Sequence, residues 1–253
     1  MPEGPSIIIL KEEVQSFIGK KIIKVEGNSQ LDIQRLSGQT IIDFKSWGKH
    51  FLICCKDFTV RIHFMLFGSY RINERKESPP RLSLIFKEGE INFYACSVKF
   101  IEENLNEIYD WTSDVMSDQW DPKAAEKKLK KIPDTLVCDA LLDQQIFAGV
   151  GNIIKNEVLF RTHVHPESRV GSIPSKKLKE LIKEASNYSF DFLKWKKEYV
   201  LKKHWLAHTK IICPRCDIRF IKKYCGKTNR RSFFCNNCQV NYSEEEPRLK
   251  KIH

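Results

Sequence analysis

The sequence predicts an α+β fold: an N-terminal helix on an antiparallel β-sandwich, then a helical region, then a C-terminal β-hairpin that holds a metal ion. Three observations lead to this prediction. Short alternating apolar segments fill the chain up to about residue 102, helical periodicity follows Pro122, and two Cys-x-x-Cys pairs bracket the hairpin. With 253 residues, the chain is long enough for one large or two ordinary domains.

The N-terminal part begins with a predicted helix over residues 6–17 and continues as short strands. Several strands alternate apolar with polar residues, and Gly, Asn or Pro residues separate them. This spacing is typical of a β-sandwich or a barrel. The clearest strands lie at residues 22–25, 50–53, 59–64, 82–86 and 91–94.

A mixed, partly acidic stretch over residues 104–122 is predicted to lead into helical segments at residues 123–131, 135–146, 152–161 and 175–201. Gly149 and Gly151 interrupt the helical pattern, and Asn152 is suited to cap the next helix. The start of a helix presents backbone N–H groups that bind phosphate well. Asn152 can therefore serve as a cap, as part of a phosphate site, or as both.

Four cysteines near the C-terminus form the strongest motif. Cys213 and Cys216 make one pair, Cys235 and Cys238 make the other, and residues 219–234 have the pattern of a β-hairpin. This spacing lets four thiolates surround one tetrahedral Zn²⁺, a structural ion without a catalytic position. Two disulfides are the competing interpretation, and they suit an intracellular chain poorly. Cys225 lies inside the hairpin and has no Cys-x-x-Cys partner, and the other four are expected to be buried apolar residues: Cys54, Cys55, Cys96 and Cys138.

The net charge of +11 indicates a polyanionic partner, and nucleic acid is the first candidate. A membrane surface is the second, but no apolar run approaches the ~20 residues that span a bilayer. The N-terminus lacks the pattern of a signal peptide, so we expect a cytoplasmic protein. Between residues 202 and 238, ten Lys and Arg residues accompany one acid, Asp217. Arg230 and Arg231, near the predicted hairpin tip, are the strongest candidates for phosphate contacts.

The first residues offer a possible nucleophile. Removal of Met1 turns the nitrogen of Pro2 into a secondary amine, and an α-amino group, with a pKa near ~8, is partly unprotonated at neutral pH. Glu3 follows directly and offers a carboxyl group for proton transfer. The simpler interpretation is that Pro2 and Glu3 only begin a helix.

Together these motifs resemble the formamidopyrimidine-DNA glycosylase/endonuclease VIII family of base-excision repair enzymes. The resemblance covers nearly the whole chain and rests on Pro2-Glu3-Gly4-Pro5, on the turn at residues 149–152 and on the four-cysteine finger with its arginine. It implies a catalytic β-sandwich domain with its connection (1–121), a helix–two-turn–helix domain (122–208), a zinc finger (209–240) and a tail (241–253).

The resemblance also implies an activity. Family members excise oxidised bases from double-stranded DNA and then cut the abasic strand by β,δ-elimination. By this resemblance Pro2 is the nucleophile and Glu3 the acid/base residue. Lys49, in Ser46-Trp47-Gly48-Lys49-His50, matches a catalytic lysine that contacts phosphate and the sugar region. A monomer that acts on damaged duplex DNA is expected.

The remaining matches concern DNA binding. Asn152 matches a phosphate-binding asparagine, and Arg230, five residues before Cys235, matches the finger arginine, with Arg231 offset by one. Ser6 departs from the family, which usually has glutamate there. The tail, with Lys250 and Lys251, either adds phosphate contacts or is disordered.

Extraction of a base leaves a gap in the duplex that the protein must fill. The segment His63-Phe64-Met65-Leu66-Phe67-Gly68, expected as a loop between two strands, matches the contiguous wedge loop of the endonuclease VIII branch, whose usual substrates are oxidised pyrimidines. The alternative is that Met65, Leu66 and Phe67 pack in the core. Three consecutive residues cannot all face one side of a strand, so at least one should be exposed.

Two rival functions stay open at the level of sequence. A non-catalytic zinc-finger protein that binds damaged or distorted DNA would keep the charge, Asn152 and the finger without needing a free Pro2. A zinc-ribbon partner of RNA or the ribosome would explain the finger but not the N-terminus.

Overall fold

The N-terminal helix, α1 (Gly4–Glu13), begins with Pro5 in its first turn, where a missing backbone N–H costs nothing. It buries Ile7 and Leu10 and is followed by one 3-10 turn at Gln15–Phe17. The predicted helix over residues 6–17 is therefore present, with a 3-10 end. The computed structural model describes residues 2–243, and the chain divides into two compact units between Asp110 and Trp111.

Six antiparallel strands form the sheet of the first unit, in the order β1-β5-β6-β4-β3-β2. All the segments that the sequence predicts as strands contribute to it, and two of them, β4 and β6, are much longer than predicted. The strands are β1 (Lys24–Glu26), β2 (Asp43–Trp47), β3 (His50–Cys54), β4 (Thr59–Ile72), β5 (Leu82–Phe86) and β6 (Gly89–Ile101).

The two long strands change neighbours midway, which divides the sheet into two halves. The first part of β4 pairs with β3 and with the end of β6, whereas the first part of β6 pairs with β5 and with the end of β4. Both halves place buried residues in one shared core, for example Phe51 and Ile62 from one half and Leu84 and Phe93 from the other. Two β-layers around one core form the sandwich that the sequence predicts.

The helices of the chain beyond the sheet begin at α2 (Leu105–Ile108), just before the boundary between the units. The second unit contains α3 (Pro122–Leu129), α4 (Val137–Ala140), α5 (Asn152–Arg161) and α6 (Ser175–Lys197). Asp121 caps α3, because its Oδ1 accepts a hydrogen bond from the Lys123 backbone N–H at 2.8 Å. Within residues 2–243, no helix has both the length and the apolar character that crossing a membrane requires.

The predicted helical segment over residues 135–146 is mostly wrong, since only the short α4 forms there. The side chain of Gln144 explains the early end. Its Nε2 donates to the carbonyl oxygens of Leu142 (2.9 Å) and Val150 (3.1 Å), and its Oε1 accepts from Gly149 N at 3.1 Å. These side-chain bonds hold a turn in place of a continuing helix.

The prediction that Asn152 caps the following helix is also wrong. Gly151, with an extended backbone (φ −118°, ψ −164°), occupies the N-cap position of α5, and Asn152 is the first helical residue. The Asn152 side chain makes no capping bond: its Oδ1 has no hydrogen-bond partner among the described residues, and its Nδ2 donates to a residue distant in sequence, as described below.

The C-terminal hairpin consists of β7 (Ile221–Cys225) and β8 (Arg230–Phe234), joined by a turn at residues 226–229. Cys225 and Phe234 lie in the core of the second unit, so one face of the hairpin packs on the helices. This agrees with the hairpin expected at residues 219–234. Residues 244–253 of the predicted tail, with Lys250 and Lys251, lie outside the described residues.

Candidate functional site

The N-terminal segment places Glu3 in an unusual environment. Glu3 has no solvent exposure and occupies the N-cap position of α1 with an extended backbone, yet its side chain makes no capping bond. A buried carboxyl group is costly unless the protein holds it in polar contacts, so its burial marks a positioned group. Pro2 precedes the helix and is partly exposed, while Pro5 occupies the first turn.

Lys49 lies in a two-residue turn between β2 and β3. Gly48 begins the turn with a positive φ of 52°, as tight hairpin turns require, and the flanking residues Trp47 and His50 pair across it. Trp47 Nε1 donates to Asp110 O at 2.9 Å, and His50 Nδ1 lies 3.1 Å from Tyr109 Oη. The turn that carries Lys49 is thus held on both sides.

Helix α1 packs against β2 and β3, the two strands that carry this turn. Pro2 and Glu3, at the start of α1, and Lys49, in the turn, therefore belong to elements of the first unit that pack against each other. The sequence predicted these three residues as one catalytic group, and their assignment stays a prediction that this shared support favours.

Two histidines beside Lys49 remain uncharged at neutral pH. Burial, together with the positive charges of Arg61 and Lys49, lowers the pKa of His50 to about 3. Burial also lowers the pKa of His63, with Lys49 and Arg61 adding to the effect. The positive charge in this region consequently comes from Lys49 and Arg61.

The apolar segment with Met65, Leu66 and Phe67 lies inside β4, as a bulge. The predicted loop between two strands is wrong in that respect: pairing resumes on the same strand, because residues 65–68 all lie opposite Ala95 of β6. Met65, Leu66 and Phe67 are 57%, 54% and 85% exposed. They do not pack in the core, and such an exposed apolar group is typical of an interaction site.

In the second unit, Asn152 lies beside the arginines of β8. Its Nδ2 donates to the carbonyl oxygen of Arg231 at 3.0 Å. Arg230 begins β8 opposite Cys225 and is partly exposed, whereas the exposed Arg231 donates from Nη2 to Tyr224 Oη at 2.7 Å. The structure therefore brings together Asn152 and the two predicted phosphate-binding arginines.

The four cysteines of the finger converge as the sequence predicts. The Sγ atoms of Cys213, Cys216, Cys235 and Cys238 all lie within 4.8 Å of one another, and those of Cys213 and Cys238 are 3.8 Å apart. A tetrahedral Zn²⁺ with bonds of about 2.3 Å requires sulfur–sulfur separations of this order. All nine cysteines lie within the described part of the chain and are free thiols, so the cluster can hold a metal ion.

Arg215, one of the ten Lys and Arg residues between residues 202 and 238, makes contacts within the protein. Its guanidinium lies over the Phe160 ring at 3.8 Å, and its Nη2 donates to Phe160 O at 2.7 Å. It also approaches His163 Nδ1 at 2.9 Å. Arg215 thus fastens a cysteine knuckle to the end of α5, and His163 belongs to the same packing.

The sequence did not single out Asp139, Lys155, Asn156 or Glu157, all of which anchor the finger or the segment before it. The carboxylate of buried Glu157 accepts backbone N–H bonds from Leu206 to His208. A polar residue inside a predicted amphipathic helix is normally assigned to solvent, so only the packing of α4 and α5 shows these roles.

Comparison with known proteins gives the family of the chain. The model of the formamidopyrimidine-DNA glycosylase N-terminal domain matches residues 1–100, and that of the formamidopyrimidine-DNA glycosylase H2TH domain matches residues 112–189. The crystal structure of the Lactococcus lactis formamidopyrimidine-DNA glycosylase, non-covalently bound to DNA with an AP site, has the same fold. Its TM-score is 0.82 at 22% identity, over 94% of this chain and 99% of that one.

Relatives from two branches match in sequence. Endonuclease 8-like 3 of Xenopus laevis is 30% identical over 233 residues, which cover 86% of this chain and 38% of the relative. Formamidopyrimidine-DNA glycosylase of Lactobacillus helveticus is 28% identical, over 96% of this chain and 100% of the relative. The chain thus spans well under two thirds of the endonuclease 8-like relative. The chain belongs to the formamidopyrimidine-DNA glycosylase/endonuclease VIII family.

Proposed function

We propose that the chain is a bifunctional DNA glycosylase/AP lyase that removes oxidised bases, pyrimidines in particular, from double-stranded DNA. One observation carries the proposal most directly: the fully buried Glu3 carboxyl group follows Pro2 directly, on a helix that packs against the strands bearing Lys49. A protein that only bound DNA would not need a free Pro2 nitrogen. The names of the relatives support the same activity.

The proposed reaction begins at the nitrogen of Pro2. This amine attacks the anomeric carbon of the damaged nucleotide, the bond from that carbon to the base breaks, and the base leaves with a proton. The sugar ring then opens and an iminium links Pro2 to the former anomeric carbon. Glu3 transfers protons at this centre, and Lys49 provides the positive charge beside the sugar and its phosphate.

Strand cutting follows from the iminium. Loss of a proton from C2′ expels the 3′ phosphate, and loss of a proton from C4′ expels the 5′ phosphate. Water then hydrolyses the iminium and frees Pro2. Two proton losses and two leaving phosphates constitute the β,δ-elimination.

The remaining residues of the proposal bind and open the DNA. Met65, Leu66 and Phe67 would fill the gap left by the extruded nucleotide, and their exposure on a contiguous bulge favours the endonuclease VIII branch. Asn152 and Arg230 would contact phosphates. An amide has two N–H groups, so Asn152 can bond to Arg231 and still donate to a phosphate.

We assign one structural Zn²⁺ to the four clustered thiols. The four thiolates suit a structural Zn²⁺, which would connect the two cysteine knuckles that flank the hairpin and would leave no position for a substrate.

Covalent trapping tests the proposal. The protein, without Met1, is mixed with duplexes that contain an oxidised pyrimidine or a plain abasic site, and borohydride is added to reduce any iminium. We expect a covalent protein–DNA complex with both duplexes. Glu3→Gln should reduce trapping on the oxidised base by about 10²–10⁴-fold, the usual contribution of acid–base catalysis, and affect the abasic duplex less. Tight binding without any trapped complex would instead indicate a non-catalytic protein that binds damaged DNA.

A further inference from the structure

Lys155 is a fully buried lysine that the proposed reaction does not use. It lies in the first turns of α5 with no solvent exposure. Its Nζ donates to Ser232 Oγ at 2.9 Å and lies 3.3 Å from the carbonyl oxygen of Arg231. Both partners belong to β8, directly after Arg230.

The Arg231 carbonyl oxygen receives donors from three side chains of one helix. Besides Lys155, Asn152 Nδ2 donates at 3.0 Å and Asn156 Nδ2 at 3.3 Å. Asn156 Oδ1 also accepts the backbone N–H of Phe233 at 3.1 Å. Side chains of α5 therefore hydrogen-bond to the backbone of β8 next to Arg230 and Arg231.

The tip of the same hairpin is held by a second element. The carboxylate of Asp139, in α4, accepts the backbone N–H groups of Lys227 (2.8 Å) and Thr228 (3.0 Å) and the Thr228 hydroxyl (2.6 Å). Gly226 lies so close to this carboxylate, with a φ of +69°, that a side chain there would collide with it. The helices thus determine the position of the hairpin at its tip and along β8.

Lysine is an expensive residue for this position, because its charge is removed from water. Burial lowers the pKa of Lys155 to about 8, against the partly opposing effects of Cys138 and Cys225. The group is therefore mostly protonated at neutral pH. A methionine of similar length would avoid this desolvation cost. The lysine is therefore best explained by its hydrogen bonds to β8.

We propose that Lys155 is a positioning residue, which fixes β8 on α5 so that Arg230 and Arg231 are held in place for DNA phosphates. The proposal rests on the DNA-binding function inferred above. It concerns the part of the site formed by the helices and the finger, and it assigns Lys155 no role in the chemical step.

Lys155→Met tests this role by removing the donor while keeping the length of the side chain. We expect duplex affinity to fall by about tenfold, since hydrogen bonds from charged groups are stronger than neutral ones. The slope of log affinity against log salt concentration should become shallower by about one, as expected for the loss of one phosphate contact. The melting temperature should stay within about 3 °C or rise, because a buried charge has been removed.

A double-mutant cycle separates positioning from general support of the fold. When Arg230 and Arg231 are both replaced by Met, adding Lys155→Met should cause almost no further loss of affinity, because Lys155 acts through them. Lys127→Met, which removes an exposed lysine of α3, controls for the loss of one charge and should change affinity by less than about twofold.

Two results would overturn the inference: unchanged affinity of Lys155→Met, or an equal loss with and without the two arginines. Should Lys155→Met fail to fold, Ser232→Ala removes the acceptor hydroxyl instead, and the same cycle applies. The wild-type protein is trapped on abasic DNA in parallel. Failure of that trapping would count against the proposed function, whereas normal trapping with a negative cycle would count against Lys155 alone.

Discussion

At the residue scale, the two histidines near Lys49 are both uncharged at neutral pH. His50 follows Lys49 directly and contacts Tyr109, and its ring lies 5.1 Å from that of His63. Because burial keeps both imidazoles neutral, they add no positive charge to those of Lys49 and Arg61.

The depressed pKa of His50 predicts a dependence of stability on pH. The unfolded chain protonates this histidine below about pH 6.5, whereas the folded protein does so only near pH 3, so the unfolded state binds more protons between these values. His50 therefore costs stability as the pH falls through this window, with a slope of up to about 1.4 kcal/mol per pH unit. His50→Gln should flatten this part of the curve.

Urea unfolding at pH 7, 6, 5 and 4, followed by circular dichroism, measures that slope. The comparison uses slopes, because the substitution also alters the contact with Tyr109 and hence the stability at pH 7. His63, Arg61 and Lys49 are the same in both proteins. Parallel curves for His50→Gln and wild type would show that His50 is not held neutral in the fold.

At the scale of elements, the bulge in β4 converts one long strand into a support for three exposed apolar side chains. Its geometry depends on Gly68. A Cβ there would lie 2.7 Å from Phe64 Cβ and 2.8 Å from the carbonyl oxygen of Ala95, closer than real Cβ contacts. Ala95, on the facing strand, has a φ of +46°. The conformation of the bulge therefore depends on Gly68 at its end and on Ala95 opposite it on β6.

Truncation of the bulge should affect duplex DNA selectively. We expect Leu66→Ala combined with Phe67→Ala to slow excision from a duplex by about tenfold or more, because the extruded nucleotide would leave an unfilled gap. Excision from a single strand should change little. Ile23→Ala, at a similarly exposed apolar residue of the first unit, is the control. Equal slowing on both substrates would argue against a wedge role.

The finger makes a prediction about metal content. Wild-type protein should contain one zinc ion per chain by atomic absorption, and Cys216→Ser should lose it, because three thiolates hold Zn²⁺ far less well than four. Cys225→Ser is the matched control, since Cys225 lies in the same hairpin but outside the cluster. Loss of zinc from Cys225→Ser, or its retention in Cys216→Ser, would contradict the assignment.

At the scale of the whole molecule, the sequence was most informative where the chemistry is local. The Cys-x-x-Cys spacing predicted the thiol cluster, and the alternation rule predicted exposure within residues 65–67. Long-range partners were not predictable. The amide of Asn152 bonds to Arg231 in place of capping its helix, and the exposed Arg215 stacks on the Phe160 ring. Nothing near these residues in sequence indicates those contacts.

The partners of the charged residues were likewise not predictable from the sequence. The ten cations between residues 202 and 238 were one group in the sequence, but the structure gives them different tasks. Arg215 attaches a cysteine knuckle to α5, and Lys223 pairs with Glu167 at 2.7 Å. Residue type alone indicated a polyanionic partner. Only the structure shows which of these cations bond to other groups of the same chain.

The central claim is that the nitrogen of Pro2 carries the reaction, and the most direct measurement is the position of the trapped DNA on the protein. The complex reduced by borohydride on abasic DNA is digested with a protease and a nuclease, and the modified peptide is sequenced by mass spectrometry. We predict the sugar remnant on the peptide that begins with Pro2, and none when Met1 is retained. A remnant on Lys49, or trapping that persists with Met1 in place, would contradict the claim.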